Sequence, residues 1–280
     1  MQVQDWLVTN QPFDLLACPA CTTRFIYPIP SEYELSAYYK SPEYISHTDT
    51  HQGLISWLYQ CARKRTLHHK KKKIERVTGR KQGHILDIGA GTGQFLATMK
   101  EAGWHVTGVE PDQQARDVAK NHVGIDLFPL EDLDSLSEKS FDVITLWHVL
   151  EHVYDLHGMM SRIKKLIKDD GLLVIAVPNY QSDDADFYGS AWAAWDAPRH
   201  LYHFSPHAMA LLMQKNTFRI ITKYRMPLDS FYVSLLSERQ KNRFSWPRAL
   251  AIGTKSWCTS WFNVDRCSSI IYFMRPEKGG

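Results

Sequence analysis

Two acidic residues and three alternating glycines between positions 87 and 110 form the stretch best suited to hold a ligand. Ile85-Leu-Asp-Ile reads as a short apolar strand that runs into Asp87-x-Gly89-x-Gly91-x-Gly93, with Ala90 inside the turn. Glycines at a strand-to-helix turn adopt positive φ and let a ligand approach the backbone closely. Val106-Thr-Gly-Val then ends in Glu110-Pro111, a carboxylate about twenty residues after the glycines. A carboxylate so placed accepts hydrogen bonds from both hydroxyls of a ribose. Dinucleotide sites favour Gly-x-Gly-x-x-Gly with a pyrophosphate on the helix N-terminus; here an acid precedes the glycines. That acid repels a pyrophosphate and attracts a cation. The expected ligand is a ribonucleoside with a positively charged end.

A second reactive set lies in Trp192-Ala-Ala-Trp195-Asp196-Ala-Pro-Arg199-His200-Leu-Tyr202-His203-Phe204-Ser205. The segment follows the fifth strand, where open α/β sheets place their crevice. Trp192, Trp195 and Tyr202 are candidates for the wall of a substrate pocket, Arg199 for holding an anionic group, and His200 for a general base. His203 and His148 are the other candidate catalytic imidazoles. In the alternative reading His200 and His203 bond to backbone and brace the loop before Ser205, and His152 of Glu151-His152 orients its own loop. A metal held by Asp196, His200, His203 and His207 is a further alternative; the expectation is that no metal binds. Cys18-Pro-Ala-Cys21 is half of a zinc knuckle without a second cysteine pair at finger spacing.

These residues need elements to hold them, and from His84 onward β and α signals alternate. Strands are expected at 85–88, 106–109, 124–128, 143–146, 172–177, 218–223 and 269–274. Helices are expected at 94–102, 112–121, 155–168 and 206–215, the last with Ser205 as N-cap and Pro206 at the first position. Apolar strands interleaved with helices give a parallel sheet covered on both faces. The fold class is α/β, a Rossmann-like, seven-stranded, mostly parallel sheet. Residues 1–52 read as an irregular N-terminal cap, 53–228 with 264–280 as the nucleoside-binding domain, and 229–263 as a helical lid inserted before the last strand. Within 53–79, Leu54, Leu58, Cys61 and Ala62 recur at helical spacing.

The glycine loop, Glu110-Pro-Asp and Phe141-Asp-Val-Ile-Thr-Leu-Trp-His-Val-Leu-Glu-His together resemble the class I S-adenosylmethionine-dependent methyltransferases over roughly residues 80–180, specifically their small-molecule branch. A subgroup of these enzymes has a similar Pro-Arg-His-Leu-x-His-Phe-Ser segment. The resemblance implies S-adenosylmethionine as cofactor, S-adenosylhomocysteine as product and a small-molecule acceptor. It implies that Asp87, Gly89 and Gly91 surround the methionine end and that Glu110 holds the ribose. Leu130, Glu131 and Asp132 would lie near adenine, with Trp147 and His148 lining the cofactor. Pro129-Leu130 stands where many relatives have Gly-Asp.

Composition narrows the alternatives. The chain has 280 residues, 44% of them hydrophobic, and a formal net charge of +3, with the basic residues concentrated in the run Arg63–Lys73. Nucleic acid is therefore not an expected partner, and Pro178-Asn179-Tyr180 stands after the wrong strand to act as the Asn-Pro-Pro-Tyr signature of RNA and DNA amino-methylation. An RNA methyltransferase and a non-catalytic binding protein of the same fold are the rival readings. Five cysteines are too few and too odd in number for a disulfide framework, and no signal peptide or spanning segment is visible. A cytoplasmic protein is expected. Peripheral membrane contact through the Trp-rich stretch 246–262 is an alternative to its burial over the acceptor pocket.

Overall fold

The computed structural model describes residues 1–39, 54–240 and 245–277, and of 36 and 54–64 the backbone alone. Among the described residues there are ten strands: β1 (Gln2–Gln4), β2 (Pro12–Ala17), β3 (Arg24–Tyr27), β4 (His84–Ile88), β5 (His105–Val109), β6 (Phe141–Trp147), β7 (Ile167–Pro178), β8 (Tyr202–His203), β9 (Phe218–Arg225) and β10 (Ser269–Pro276). They form a four-stranded sheet, β1-β2-β3-β8, and a six-stranded sheet, β5-β4-β6-β7-β10-β9. The described residues divide into two compact units, one of 1–39, 148–157, 175–240 and 245–274, the other of 54–147, 158–174 and 275–277.

In the second unit β4 lies parallel to both β5 and β6, with Asp87 opposite Gly108 on one side and Thr145 on the other. Ile85, Leu86, Ile88, Val143, Ile144 and Leu146 are fully buried, which is why these strands read as continuous apolar runs rather than alternating ones. Burying each such side chain contributes about 1.5–3 kcal/mol. Helix Gln94–Glu101 packs Phe95, Leu96 and Met99 inward. Asp142, at the start of β6, accepts from the His84 amide and pairs with Arg80 and Lys168.

The α/β class holds, but the large sheet has six strands where seven were expected. Residues 124–128 contribute only the bridge Val109↔Phe128. Phe128 donates to the Gly108 carbonyl and Glu110 donates to the Phe128 carbonyl. Pro129 then removes the next donor, and Gly124 before it is in the left-handed region. Two boundaries also move. The helix expected over 155–168 is Leu156–Leu166, and β7 begins directly at Ile167. The helix expected over 112–121 is Gln113–Val118, capped by Asp112 and followed by a π-turn over Ala119–Val123.

The first unit contains the N-terminal strands, which are regular rather than irregular. Phe13 and Leu15 of β2 are buried while Asp14 and Leu16 face outward, the period of a half-buried strand. The alternation is easy to miss because each strand is short and Pro12 and Pro28 break the runs. Fully buried Asp5 closes the turn after β1 by accepting from the amides of Leu7, Val8 and Thr9 and from the Thr9 hydroxyl. Ser205 caps helix Pro206–Lys215 through the Ala208 amide, as its sequence signature predicts. The 229–263 insertion is helical, as Asp229–Arg239 and Trp246–Phe262. These two helices approach so closely that a Cβ on Gly253 would stand 2.8 Å from the Phe231 ring. The helical periodicity read from Leu54, Leu58, Cys61 and Ala62 falls on side chains outside the described residues.

Candidate functional site

The glycine loop expected to hold the nucleoside lies in the second unit, where β4 and β5 end. Gly89 and Gly91 have φ of 71° and 54°, a region costly for residues with a Cβ. A Cβ on Gly91 would meet nothing within 4 Å, so the loop faces open space at that point. Gly93 also has positive φ, but its missing side chain serves packing: a Cβ there would stand 3.2 Å from that of Ala119. Ala90 bonds through its amide to the Val109 carbonyl and holds the loop against β5.

Glu110 is buried at 8% exposure and accepts from the Gly91 amide (2.8 Å) and the Asp112 amide (3.0 Å). It thereby ties the glycine loop to the end of β5, and each oxygen retains a second lone pair for a ligand hydroxyl. Burial raises its pKa, against the pull of those two amides. Pro111 is exposed, and its carbonyl accepts from Arg116. Leu130, Glu131 and Asp132 form the first turn of the 3-10 segment Leu130–Ser135, with Glu131 exposed and the other two half-buried.

Asp87 is 2% exposed and accepts a 2.5 Å hydrogen bond from the Thr145 hydroxyl. Burial raises its pKa to about 7, against the Thr145 bond and the charge of Lys70. The Lys70 ammonium lies 4.0 Å over the Trp147 ring, whose other neighbour is Phe95, edge-on at 5.2 Å. The Trp147 indole nitrogen is buried without a hydrogen-bond partner. A desolvated acid that a further cation would stabilise, an orphaned donor, open space at Gly91 and a second buried carboxylate with free lone pairs fit a cationic nucleoside.

His148, His152, His200 and His203 lie in the first unit. His148 has φ of 57° and is held between Glu151 Oε1 (3.3 Å) and Asp229 Oδ2 (3.2 Å). Burial opposes its protonation, but the hydrogen bonds to Asp229 and Glu151 outweigh it and hold the imidazole at a pKa of about 9. His152 Nδ1 faces the Arg199 carbonyl (3.0 Å) and the Tyr39 hydroxyl (3.0 Å), and burial pulls its pKa down to about 4. His200 Nδ1 faces the Ala194 carbonyl at 2.9 Å, and its Nε2 stands 3.8 Å from Asp196 Oδ2. His203 is buried against Trp195, its Nε2 lacks a partner, and burial keeps it neutral.

The residues assigned to a substrate pocket are mostly framework. Arg199 is 1% exposed and is spent on Asp5 (3.3 Å) and Asp196 (2.6 Å), so no face of its guanidinium is presented to an anionic substrate. Trp192 is buried and donates to Asp184, and Trp195 is buried and donates to the Gly189 carbonyl. Tyr202 donates to the Tyr154 carbonyl. The set Asp196, His200, His203 and His207 does not assemble, because His207 lies exposed at the start of its helix. Among the described residues, the one group of three metal-ligating side chains that converges is Glu151, His152 and His200. Cys18 and Cys21 lie in the β2–β3 turn, where the Cys21 thiol donates to Thr23. Sequence reasoning missed Asp5, Lys70, Asp184, Thr145 and Asp229, since nothing local marks a lone Asp or Lys as the partner of a distant group.

A family described as a methyltransferase domain matches residues 47–223, more than half of the chain. The chain belongs to this methyltransferase-domain family. Ubiquinone biosynthesis O-methyltransferase of Coxiella burnetii is 35% identical over 115 residues, covering 39% of this chain and 49% of the relative. The enzyme of the same name from Glaesserella parasuis is 36% identical over 106 residues, covering 34% and 45%. The chain thus spans about half the length of the curated relatives it matches. Among solved structures, a Haemonchus contortus phosphoethanolamine N-methyltransferase 2 in complex with S-adenosyl-L-methionine superposes with a TM-score of 0.50 at 19% identity, covering 75% of this chain and 53% of that one. Geranyl diphosphate C-methyltransferase from Streptomyces coelicolor gives 0.51 at 14% identity, covering 75% and 76%. At these identities the likeness is one of fold. Among the described residues, no helix of this methyltransferase domain is long and apolar enough to cross a membrane.

Proposed function

We propose that this chain binds S-adenosylmethionine in the Asp87–Glu110 cradle and transfers its methyl group to a small-molecule acceptor. The observation that carries the reading is the pair of buried carboxylates, Asp87 near the end of β4 and Glu110 after β5, beside a glycine loop that is open at Gly91. The ammonium of the cofactor's methionine end suits Asp87, and the ribose hydroxyls suit the free lone pairs of Glu110. When bound, the cofactor supplies an electrophilic methyl group and leaves as S-adenosylhomocysteine.

The protein's part is to align the acceptor for in-line attack and to remove its proton. His148, held protonated by its two carboxylates, is a poor base at neutral pH, and His152 and His203 are depressed by burial. His200 Nε2 is the remaining imidazole nitrogen of the cluster, and we assign the acceptor side to it. Asp229, in the first turn of the helical insertion, bonds to His148 and links residues 229–263 to this cluster, which supports their role as a lid. The names of the sequence relatives favour an oxygen acceptor on a phenol or quinone precursor. The cysteines that the structure describes are free thiols, which supports a cytoplasmic setting.

The test is a screen for S-adenosylhomocysteine release against phenols, quinone precursors, sugar nucleotides and lipid-linked intermediates. His200→Ala should keep cofactor affinity and lower turnover by about 10²-fold or more. Unchanged turnover removes His200 from the mechanism. Salt-dependent methylation of RNA would instead favour the nucleic-acid reading.

A further inference from the structure

Glu151, His152 and His200 each offer one ligand atom, and the three atoms lie within 4.8 Å of one another in the first unit. Each imidazole has one nitrogen committed to backbone: His152 Nδ1 to the Arg199 carbonyl and His200 Nδ1 to the Ala194 carbonyl. A carbonyl only accepts, so each Nδ1 carries a proton, and the Nε2 of each ring is the nitrogen left to offer a lone pair to a metal. Histidines that ligate metals are oriented in this way, with the second ring nitrogen donating to a carbonyl or carboxylate. Glu151 completes the picture. It is 1% exposed, its Oε1 is engaged by His148, and its Oε2 is buried without any hydrogen-bond partner. A buried carboxylate oxygen with no donor is costly. In that tautomer the two imidazole lone pairs beside it supply none, and a cation bound among the three atoms satisfies all of them.

We propose that Glu151, His152 and His200 bind a first-row divalent transition metal ion, of which zinc is the reference case. Two imidazoles and one carboxylate suit zinc, iron(II), cobalt or manganese, whereas magnesium and calcium take oxygen ligands. Ligand atoms ~2.1 Å from a tetrahedral ion stand ~3.4 Å apart, so the cluster closes by small side-chain rotations. No fourth protein ligand joins the group among the described residues, and three protein ligands with an open position is the pattern of a site that also takes an exogenous oxygen. The site rests on the proposed function only in sharing His200. An Nε2 that ligates the ion cannot also take the acceptor's proton, so His200 serves as the base only in the metal-free chain. Metal content is measured without acceptor or cofactor, so either reading can fail while the other stands.

The experiment uses the full chain, freed of metal by chelator and titrated with cobalt(II) and with zinc while absorbance and heat are recorded. The expected result is one ion per chain, with visible cobalt bands and no thiolate charge-transfer absorption. His200→Ala and Glu151→Gln should each weaken binding by about 10–100-fold, His207→Ala should leave it unchanged, and S-adenosylmethionine affinity should be the same in all three. If a variant does not fold, the wild-type cobalt spectrum decides alone. Absence of a stoichiometric ion in the folded wild type overturns the proposal. So does a spectrum with thiolate bands, which would place the ion on cysteine rather than at this cluster.

Discussion

Asp87 is a carboxyl whose ionisation should report on ligand binding. It titrates near 7 in the folded protein and at 3.8 when unperturbed, so the fold holds a proton that the unfolded chain releases. Its contribution to stability is complete below about 3.8 and is lost as pH rises through about 7. A cation placed against it reverses the preference. Affinity for S-adenosylmethionine should therefore rise between about pH 6 and pH 8, with up to one proton released on binding. Calorimetry in buffers of different ionisation enthalpy reads that proton; no buffer dependence at pH 7 would remove the cation from Asp87. The closeness of Glu110 to the glycine loop is legible in the sequence because the spacing that produces it is local. Arg199 was misread because its partner Asp5 lies 194 positions away, and no window of sequence shows that a guanidinium is already engaged. The partner of His148 is hidden for the same reason, since Asp229 comes to it from a distant part of the sequence.

At the level of elements, glycine positions separate packing from binding. A Cβ on Gly108 would stand 2.5 Å from both Leu96 and Leu127, so Gly108→Ala should lower stability by about 1–3 kcal/mol. The shift in thermal midpoint measures it, and an unchanged midpoint would mean that the β5 contact relaxes freely. Ser205→Ala removes the cap of helix Pro206–Lys215 and should cost about 1 kcal/mol, read in the same way. The capped helix and the buried parallel strands were legible because caps, prolines and apolar runs are short-range signals. The seventh strand was not, because an apolar run beside Pro129 pairs at only one bridge. The N-terminal strands were missed for a related reason: strands of 3, 6 and 4 residues give too few periods for alternation to stand out.

Across the whole molecule, a few buried charges tie together parts of the chain that are far apart in sequence. Arg199 joins Asp5, Asp196 and the Tyr38 carbonyl, and Asp184 accepts from Trp192, Ser256 and Ser268. Removing one side of such a pair leaves an uncompensated buried charge. Arg199→Ala should destabilise the fold by about 3–5 kcal/mol without a selective rise in KM. A normal melting temperature with a raised KM would return Arg199 to the substrate. The α/β class follows from the alternation of strands and helices alone, whereas these ties emerge only from the assembled structure. Everything functional depends on a cationic nucleoside occupying the Asp87–Glu110 cradle. Isothermal titration of the purified chain with S-adenosylmethionine and S-adenosylhomocysteine tests this most directly. The expected result is saturable one-to-one binding that Glu110→Ala and Gly89→Val each weaken by at least about 10²-fold. Near-native affinity in either variant, or a wild-type protein that takes up a pyrophosphate-bearing dinucleotide in place of these ligands, would contradict it.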